Sequence, residues 1–307
     1  MKNIGRIIGE YDSGRKGNLL FITAGIHGNE PAGVLALQKV FKSLQEDQPK
    51  INGKVVGVVG NRKALQNEVR FIDEDLNRTW TSENIDGGKN DTQEKMEMFK
   101  IIKTLQECSE NQFEKRFFLD CHTTSSNSEP YISVQDVNEN LNWANSFPTY
   151  IIRGFSDIVK GSIDRYFSQI GLTGFTFEAG QHQSEVSVDN HKGIIWLSIK
   201  NACDLKFEDL KEYPKSAQML KIKKPNRKIF DIIYRHGLSD EDEFEMMPGF
   251  TNFQPIQKGD LLAHQNNKPV YSEWDAYIFM PLYQSQGNDG FFVVKEIENK
   301  KPSPSIH

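Results

Sequence analysis

Cysteine is scarce: Cys108, Cys121 and Cys203 are the only three in 307 residues, too few and too scattered for a disulfide framework. That fits a reducing compartment. No apolar run approaches the length needed to span a bilayer. The opening M-K-N-I-G-R-I-I-G-E-Y lacks the apolar core and small-residue cleavage site of a secretory leader. The expectation is a cytoplasmic protein with no membrane partner. Positive charge is short as well: the formal net charge is -5 and no basic patch stands out, which argues against a nucleic-acid role. Internal repeats and low-complexity tracts are missing. So is a G-x-S-x-G elbow, which leaves the His-Thr-Thr-Ser-Ser run at 122–126 little support as a serine nucleophile site.

What is there begins with L-L-F-I-T-A-G-I-H-G-N-E, residues 19–30, around which the chain is organised. The unbroken apolar run predicts a buried strand over Leu19–Gly25, followed by a glycine turn carrying His27 and Glu30. Pro31 then opens a helix over 31–46, with Val34, Leu37, Val40, Phe41 and Leu44 on one face. K-V-V-G-V-V-G-N, from Lys54, reads as the next strand. Strand, helix, strand predicts a right-handed parallel α/β unit, whose strand ends are where such sheets bind ligands. His27 and Glu30 are either metal ligands or a surface histidine beside an acid that suits the helix dipole.

A short leading strand is expected over Ile4–Ile8. Residues 62–80 show no simple periodicity. They read either as a solvated helix of alternating charge or as a site loop following a strand end. In the second case their arginines can grip a carboxylate with two parallel hydrogen bonds. An amphipathic helix over 92–108 turns Met98, Ile101, Ile102, Leu105 and Cys108 inward, with Met96 and Met98 both read as packing residues. A strand over Phe117–Asp120 leaves His122 just past its end, and a strand through Phe175 and Phe177 delivers Glu178. Placed beside the first turn, His122 completes a two-imidazole, one-carboxylate set with His27 and Glu30. Three protein ligands with one open position is the pattern of catalytic zinc. Asp120 either orients a histidine or simply ends a strand. Glu178 alone is a rim acid; beside a metal it becomes a general base.

Four motifs in this order, H-G-N-E at 27–30, R-F-I-D-E-D-L-N-R at 70–78, D-C-H-T-T at 120–124 and F-E-A-G at 177–180, resemble the succinylglutamate desuccinylase and aspartoacylase family of zinc amidohydrolases. The resemblance is good over residues 1–205 and looser beyond. It implies a zinc-carboxypeptidase-like α/β fold: a mixed, mostly parallel sheet flanked by helices. It implies one zinc per chain on His27, Glu30 and His122, with Glu178 as general acid/base. Arg70 would lie near the scissile carbonyl oxygen, Asn77 and Arg78 would bind the substrate carboxylate, and Asp75 would support their loop. A further arginine is matched to Arg165 and a closing tyrosine to Tyr283.

The expected organisation is a catalytic domain over 1–205, a linker over 206–215, a smaller β-rich C-terminal domain over 216–298 that covers the cleft, and a tail over 299–307. The expected activity is removal of an acetyl or succinyl group from an N-acyl amino acid. A metallocarboxypeptidase or peptide amidase is the enzymatic alternative, and a non-catalytic small-molecule-binding protein the other. A homo-oligomer is left open.

Overall fold

In a computed structural model, residues 4–222 and 227–297 are described, so the expected tail over 299–307 lies outside the described residues. The first strand, β1 (Ile7–Asp12), starts later than expected. The turn that ends it is set by Asp12, whose Oδ1 accepts the Gly14 N–H at 2.7 Å. Then come β2 (Asn18–Ala24), α1 (Ala32–Asp47) and β3 (Gly53–Val59). In β2, Leu20, Ile22 and Ala24 face one apolar cluster and Leu19 and Phe21 another on the opposite face. A strand buried on both sides needs an unbroken apolar run, and that is what the sequence supplies.

The chain continues through α2 (Arg62–Asn67), α3 (Ser82–Asp86), α4 (Gln93–Gln106) and β4 (Arg116–Thr124). Met98 is fully buried in α4, whereas Met96 is 39% exposed, so the packing role expected of Met96 does not hold. Two residues along a helix is about 200° of rotation, which carries Met96 to the outer face. β5 (Tyr131–Val134), α5 (Asn140–Ala144), β6 (Tyr150–Arg153), α6 (Phe155–Ile158), α7 (Ile163–Gln169), β7 (Thr173–Gln181) and α8 (Glu185–Cys203) follow. Helices α1 and α8 cover one face of the sheet, α4 and α7 the other.

Phe207 and Leu210, just after α8, are buried against the same core. Past α9 (Lys215–Ile222) come β8 (Ile229–Gly237), β9 (Phe244–Met246), β10 (Gln254–Ile256), β11 (Leu261–Gln265), β12 (Lys268–Tyr271), β13 (Ala276–Phe279) and β14 (Asp289–Ile297). Four of them extend the main sheet, whose order is β1-β3-β2-β4-β7-β5-β6-β8-β14-β13-β10; β12-β11-β9 make a smaller antiparallel sheet. The join is backbone pairing: β8 runs parallel to β6, with Ile151 opposite Ile229. At the centre, β3, β2, β4 and β7 are all parallel. Among the described residues no helix is long and apolar enough to cross a membrane.

Candidate metal centre and cleft

Side chains alternate between faces along a strand, and in the central strands one face changes character toward its carboxyl end. On β2 the face that carries Leu19 and Phe21 reaches Thr23; on β4 it passes from Phe118 to Asp120 and His122; on β7 it presents Thr176 and Glu178. The parallel registers set Thr23 beside Asp120, and His122 beside Glu178. β4 thus continues past Asp120, where it was expected to stop, because its pairing with β7 persists through His122. The polar ledge is a product of the pleat.

The turn after β2 brings His27 and Glu30 to this ledge. Gly28 packs so tightly on α2 that a Cβ would lie 2.0 Å from the Ala64 carbonyl carbon, which explains a glycine in H-G-N-E. Donor atoms of His27, Glu30 and His122 all lie within 4.8 Å of one another, and all three residues are buried. Glu30 sits between the rings, 2.8 Å from His27 Nδ1 and 3.2 Å from His122 Nδ1. Its Oε2 also accepts the Thr123 N–H at 2.8 Å. The other ring nitrogens face carboxylates: His27 Nε2 is 3.0 Å from Asp75 Oδ1, and His122 Nε2 is 2.7 Å from Asp120 Oδ2. Thr23 Oγ1 donates to the remaining Asp120 oxygen at 2.6 Å. Imidazoles backed in this way by Asp75 and Asp120 turn their Nδ1 edges toward Glu30, where a metal would be shared among the three.

The electrostatics follow from burial and sign. Burial pushes the Glu30 carboxyl up, but the two histidines override it and hold it well below the usual range. Burial would lower His122, yet Asp120 and Glu30 raise it well above an ordinary histidine. Glu178 goes well up, first from burial and then from Glu30 and Asp120, against the pull of His122 and Arg70. Its Oε2 is buried without a hydrogen-bond partner. Here is a carboxyl, beside two imidazoles, with a spare oxygen and a strong hold on its proton.

Residues 70–78 supply the cationic side. Asp75 does three things: it orients His27, pairs with Arg70 Nη2 at 2.9 Å, and caps the short turn Leu76–Arg78 by accepting the Asn77 N–H at 2.8 Å. Burial would lift the Asp75 carboxyl, but Arg70 and His27 keep it well below the usual carboxylate range. Arg70 Nη1 reaches within 3.7 Å of Glu30. Asn77 Oδ1 accepts the Ile163 N–H at 3.0 Å, leaving its NH2 end available to a ligand. Arg78 Nη2 is held at 2.7 Å by Asp289, which also takes Arg235 Nε at 2.5 Å.

Arg70, Asn77 and Arg78 line one cleft of about 90 Å³ together with the three donors and Glu178, walled on the C-terminal side by Met280, Leu282, Gln284, Gly287 and Asp289. Arg165 and Tyr283 do not line it. On α7 it is Asp164 that faces the cleft; the next residue is turned about 100° away. Tyr283 is 40% exposed, and its hydroxyl donates to Met247 O at 2.7 Å and accepts the Phe250 N–H at 2.9 Å, so it ties down a neighbouring loop.

Several cleft residues escaped the sequence reading. Asp289 lies in an N-D-G, and Tyr131 and Asp164 lie on elements, that carry no site signal of their own. Glu94, in the first turn of α4, does not touch the cleft but holds its loop. The fully buried carboxylate accepts the N–H groups of Ile72, Asp73 and Glu74 at 2.8, 3.0 and 3.3 Å, and Asn61 Nδ2 at 2.7 Å. A charged residue on an amphipathic helix looks solvated; only the loop folded over it makes it internal.

Comparison with known proteins points the same way. The family profile of the succinylglutamate desuccinylase/aspartoacylase catalytic domain matches residues 16–192. A succinylglutamate desuccinylase of Pseudomonas paraeruginosa is 28% identical over 116 residues, 38% of this chain and only 33% of that protein, so the match spans a third of the relative's length. One of Pseudoalteromonas atlantica is 22% identical over 274 residues, 83% of this chain and 74% of the relative. The crystal structure of the Chromobacterium violaceum succinylglutamate desuccinylase superposes with a TM-score of 0.67 at 16% identity, covering 96% of this chain and 89% of that one.

Proposed function

Because the chain belongs to the succinylglutamate desuccinylase/aspartoacylase family, we propose that it is a zinc-dependent amidohydrolase that removes a small acyl group, acetyl or succinyl, from a carboxylate-bearing amine. The observation that carries this reading is the convergence of two imidazoles and a carboxylate within 4.8 Å in the cleft that Glu178 also lines. Two histidines and one glutamate fit a catalytic zinc, one per chain, because this donor set leaves a position for substrate or water. When bound, zinc supplies Lewis acidity to the acyl carbonyl and acidifies water.

The chain's own residues supply the rest. Glu178 removes the proton from water as it attacks the acyl carbon, then returns it to the departing nitrogen, so that a carboxylic acid and a free amine result. Burial, with Glu30 and Asp120 nearby, favours the protonated form of Glu178 against the pull of His122 and Arg70; a zinc ion on His27, Glu30 and His122 would add positive charge that favours the carboxylate. Arg70, clamped by Asp75, presents a fixed cation where negative charge grows on the acyl oxygen. The Arg78 guanidinium and the Asn77 amide NH2 bind the substrate carboxylate. Leu282 and Gln284 wall the cleft on one side.

The test is amine release by zinc-loaded protein from N-acetyl, N-formyl and N-succinyl amino acids and short peptides, with and without chelator. Chelator-sensitive release from one acyl amino-acid class is expected. Cleavage of peptides alone would transfer the assignment to a carboxypeptidase.

A further inference from the structure

Beyond Glu178 the cleft continues along β5. Tyr131 and Ser133 stand opposite Glu178 and Thr176 in an antiparallel pair, and all four line the cleft together with Asp164. Residues two apart share a face, and the next in that row, Gln135, donates from Nε2 to Asp164 Oδ2 at 2.6 Å. The Arg165 backbone N–H donates to Asp164 Oδ1 at 2.8 Å. The Ser162 side chain gives a third hydrogen bond, and all three donors are neutral. A carboxylate has about four acceptor sites, so Asp164, only 4% exposed, retains acceptor capacity toward the cleft. Tyr131 is fully buried, and its hydroxyl has no hydrogen-bond partner.

This wall adjoins the carboxylate-binding loop. Ile163 donates its N–H to Asn77 Oδ1 and Trp80 donates its own to Gly161 O at 3.1 Å. Gly161 approaches so closely that a Cβ would lie 2.2 Å from Arg78 O. Asp164 therefore belongs with Asn77 and Arg78, on the amine half of a substrate. The cleft's two arginines are engaged by Asp75 and Asp289. One can release its partner to a substrate carboxylate, but a second carboxylate would meet the acid of Asp164.

We infer that the amine half of the substrate carries a positively charged side chain, an ammonium received by the Asp164 carboxyl and the Tyr131 hydroxyl, so that N-acyl diamino acids are preferred over N-acyl dicarboxylic acids. This rests on the deacylase reading and specifies its substrate class. Burial raises the Asp164 pKa, and an ammonium in contact offsets that by favouring the charged carboxylate.

The experiment is calorimetric titration of the zinc-loaded full chain with L-ornithine, L-norvaline and L-glutamate, alongside amine release from their Nα-acetyl forms. Ornithine should bind about ten- to a hundredfold more tightly than norvaline, the range for a hydrogen bond to a charged group. Glutamate should bind most weakly. D164N should narrow the ornithine preference by a similar factor, and Y131F by less, each checked by thermal melting. The wild-type ranking decides even if a variant does not fold. Glutamate binding as tightly as ornithine, or ornithine no better than norvaline, overturns the proposal. Ornithine preference without turnover of any acetyl compound keeps the cationic pocket and rejects the deacylase reading; turnover led by Nα-acetylglutamate does the reverse.

Discussion

The two sides of the cleft are built by different means. His122 and Glu178 are neighbours because β4 and β7 are hydrogen-bonded in parallel register, and His27 and Glu30 leave the adjoining strand through a turn jammed against α2. Their relative positions are set by backbone. The opposite wall is supplied by residues 280–289, and its side chains make its contacts with the arginine loop and with the turn after β2: Asp289 to Arg78, Gln286 to the Arg70 N–H at 3.2 Å, and Gln284 to Asn29 at 2.9 Å. Backbone pairing gives the precision that bond-making chemistry needs. Side-chain contacts can exchange one partner for another, which is what ligand selection needs.

The largest effect should come from the backbone-set side. E178Q should lower kcat about 10²–10⁴-fold, the usual range for a lost general acid/base, with bound metal unchanged by elemental analysis. Turnover close to wild type would remove Glu178 from the mechanism. Next is the loop between the two sides. E94A leaves three backbone N–H groups and the Asn61 amide without their acceptor, and should cost about 2–4 kcal/mol in urea denaturation. KM should rise more than kcat falls, because Arg70 and Arg78 lose their platform. An unchanged denaturation midpoint would mean that the loop holds itself.

The smallest effect belongs to the wall. A double-mutant cycle of R78A and D289A, read in kcat/KM, should give a coupling of about 0.5–1 kcal/mol, as for partly exposed ion pairs. R78A alone should do more harm than D289A. Strict additivity would show that Asp289 and Arg78 act independently, and would erase the distinction between a fixed side and an exchangeable one.

The same division decides what could be read from sequence. The clustering of His27, Glu30 and His122 near Glu178 was legible because each closes or follows an apolar run, and strand ends in a parallel sheet converge. The C-terminal part was recognisable as β-rich, although β9 and β10 were not singled out, and nothing in its composition tells that β8 pairs with β6 and so continues the main sheet. Arg165 is one position from the residue that lines the cleft: on a helix as short as α7, with no long hydrophobic stripe to fix its phase, a single step turns a side chain out of it. Tyr283 has the right chemistry but lies in an aperiodic stretch, where only tertiary contacts decide which of Leu282, Tyr283 and Gln284 faces inward. Asp289 is identifiable only through Arg78 and Arg235, which lie far from it in sequence.

The bond between Arg78 and Asp289 also sets an order of events during synthesis. The last of the three donors is residue 122, whereas Asp289 opens the final strand. At about 5–20 residues per second, a nascent chain spends on the order of ten to thirty seconds with its whole donor set translated and its substrate wall still unmade. The three donors are thus complete in the growing chain before the wall that closes the cleft exists.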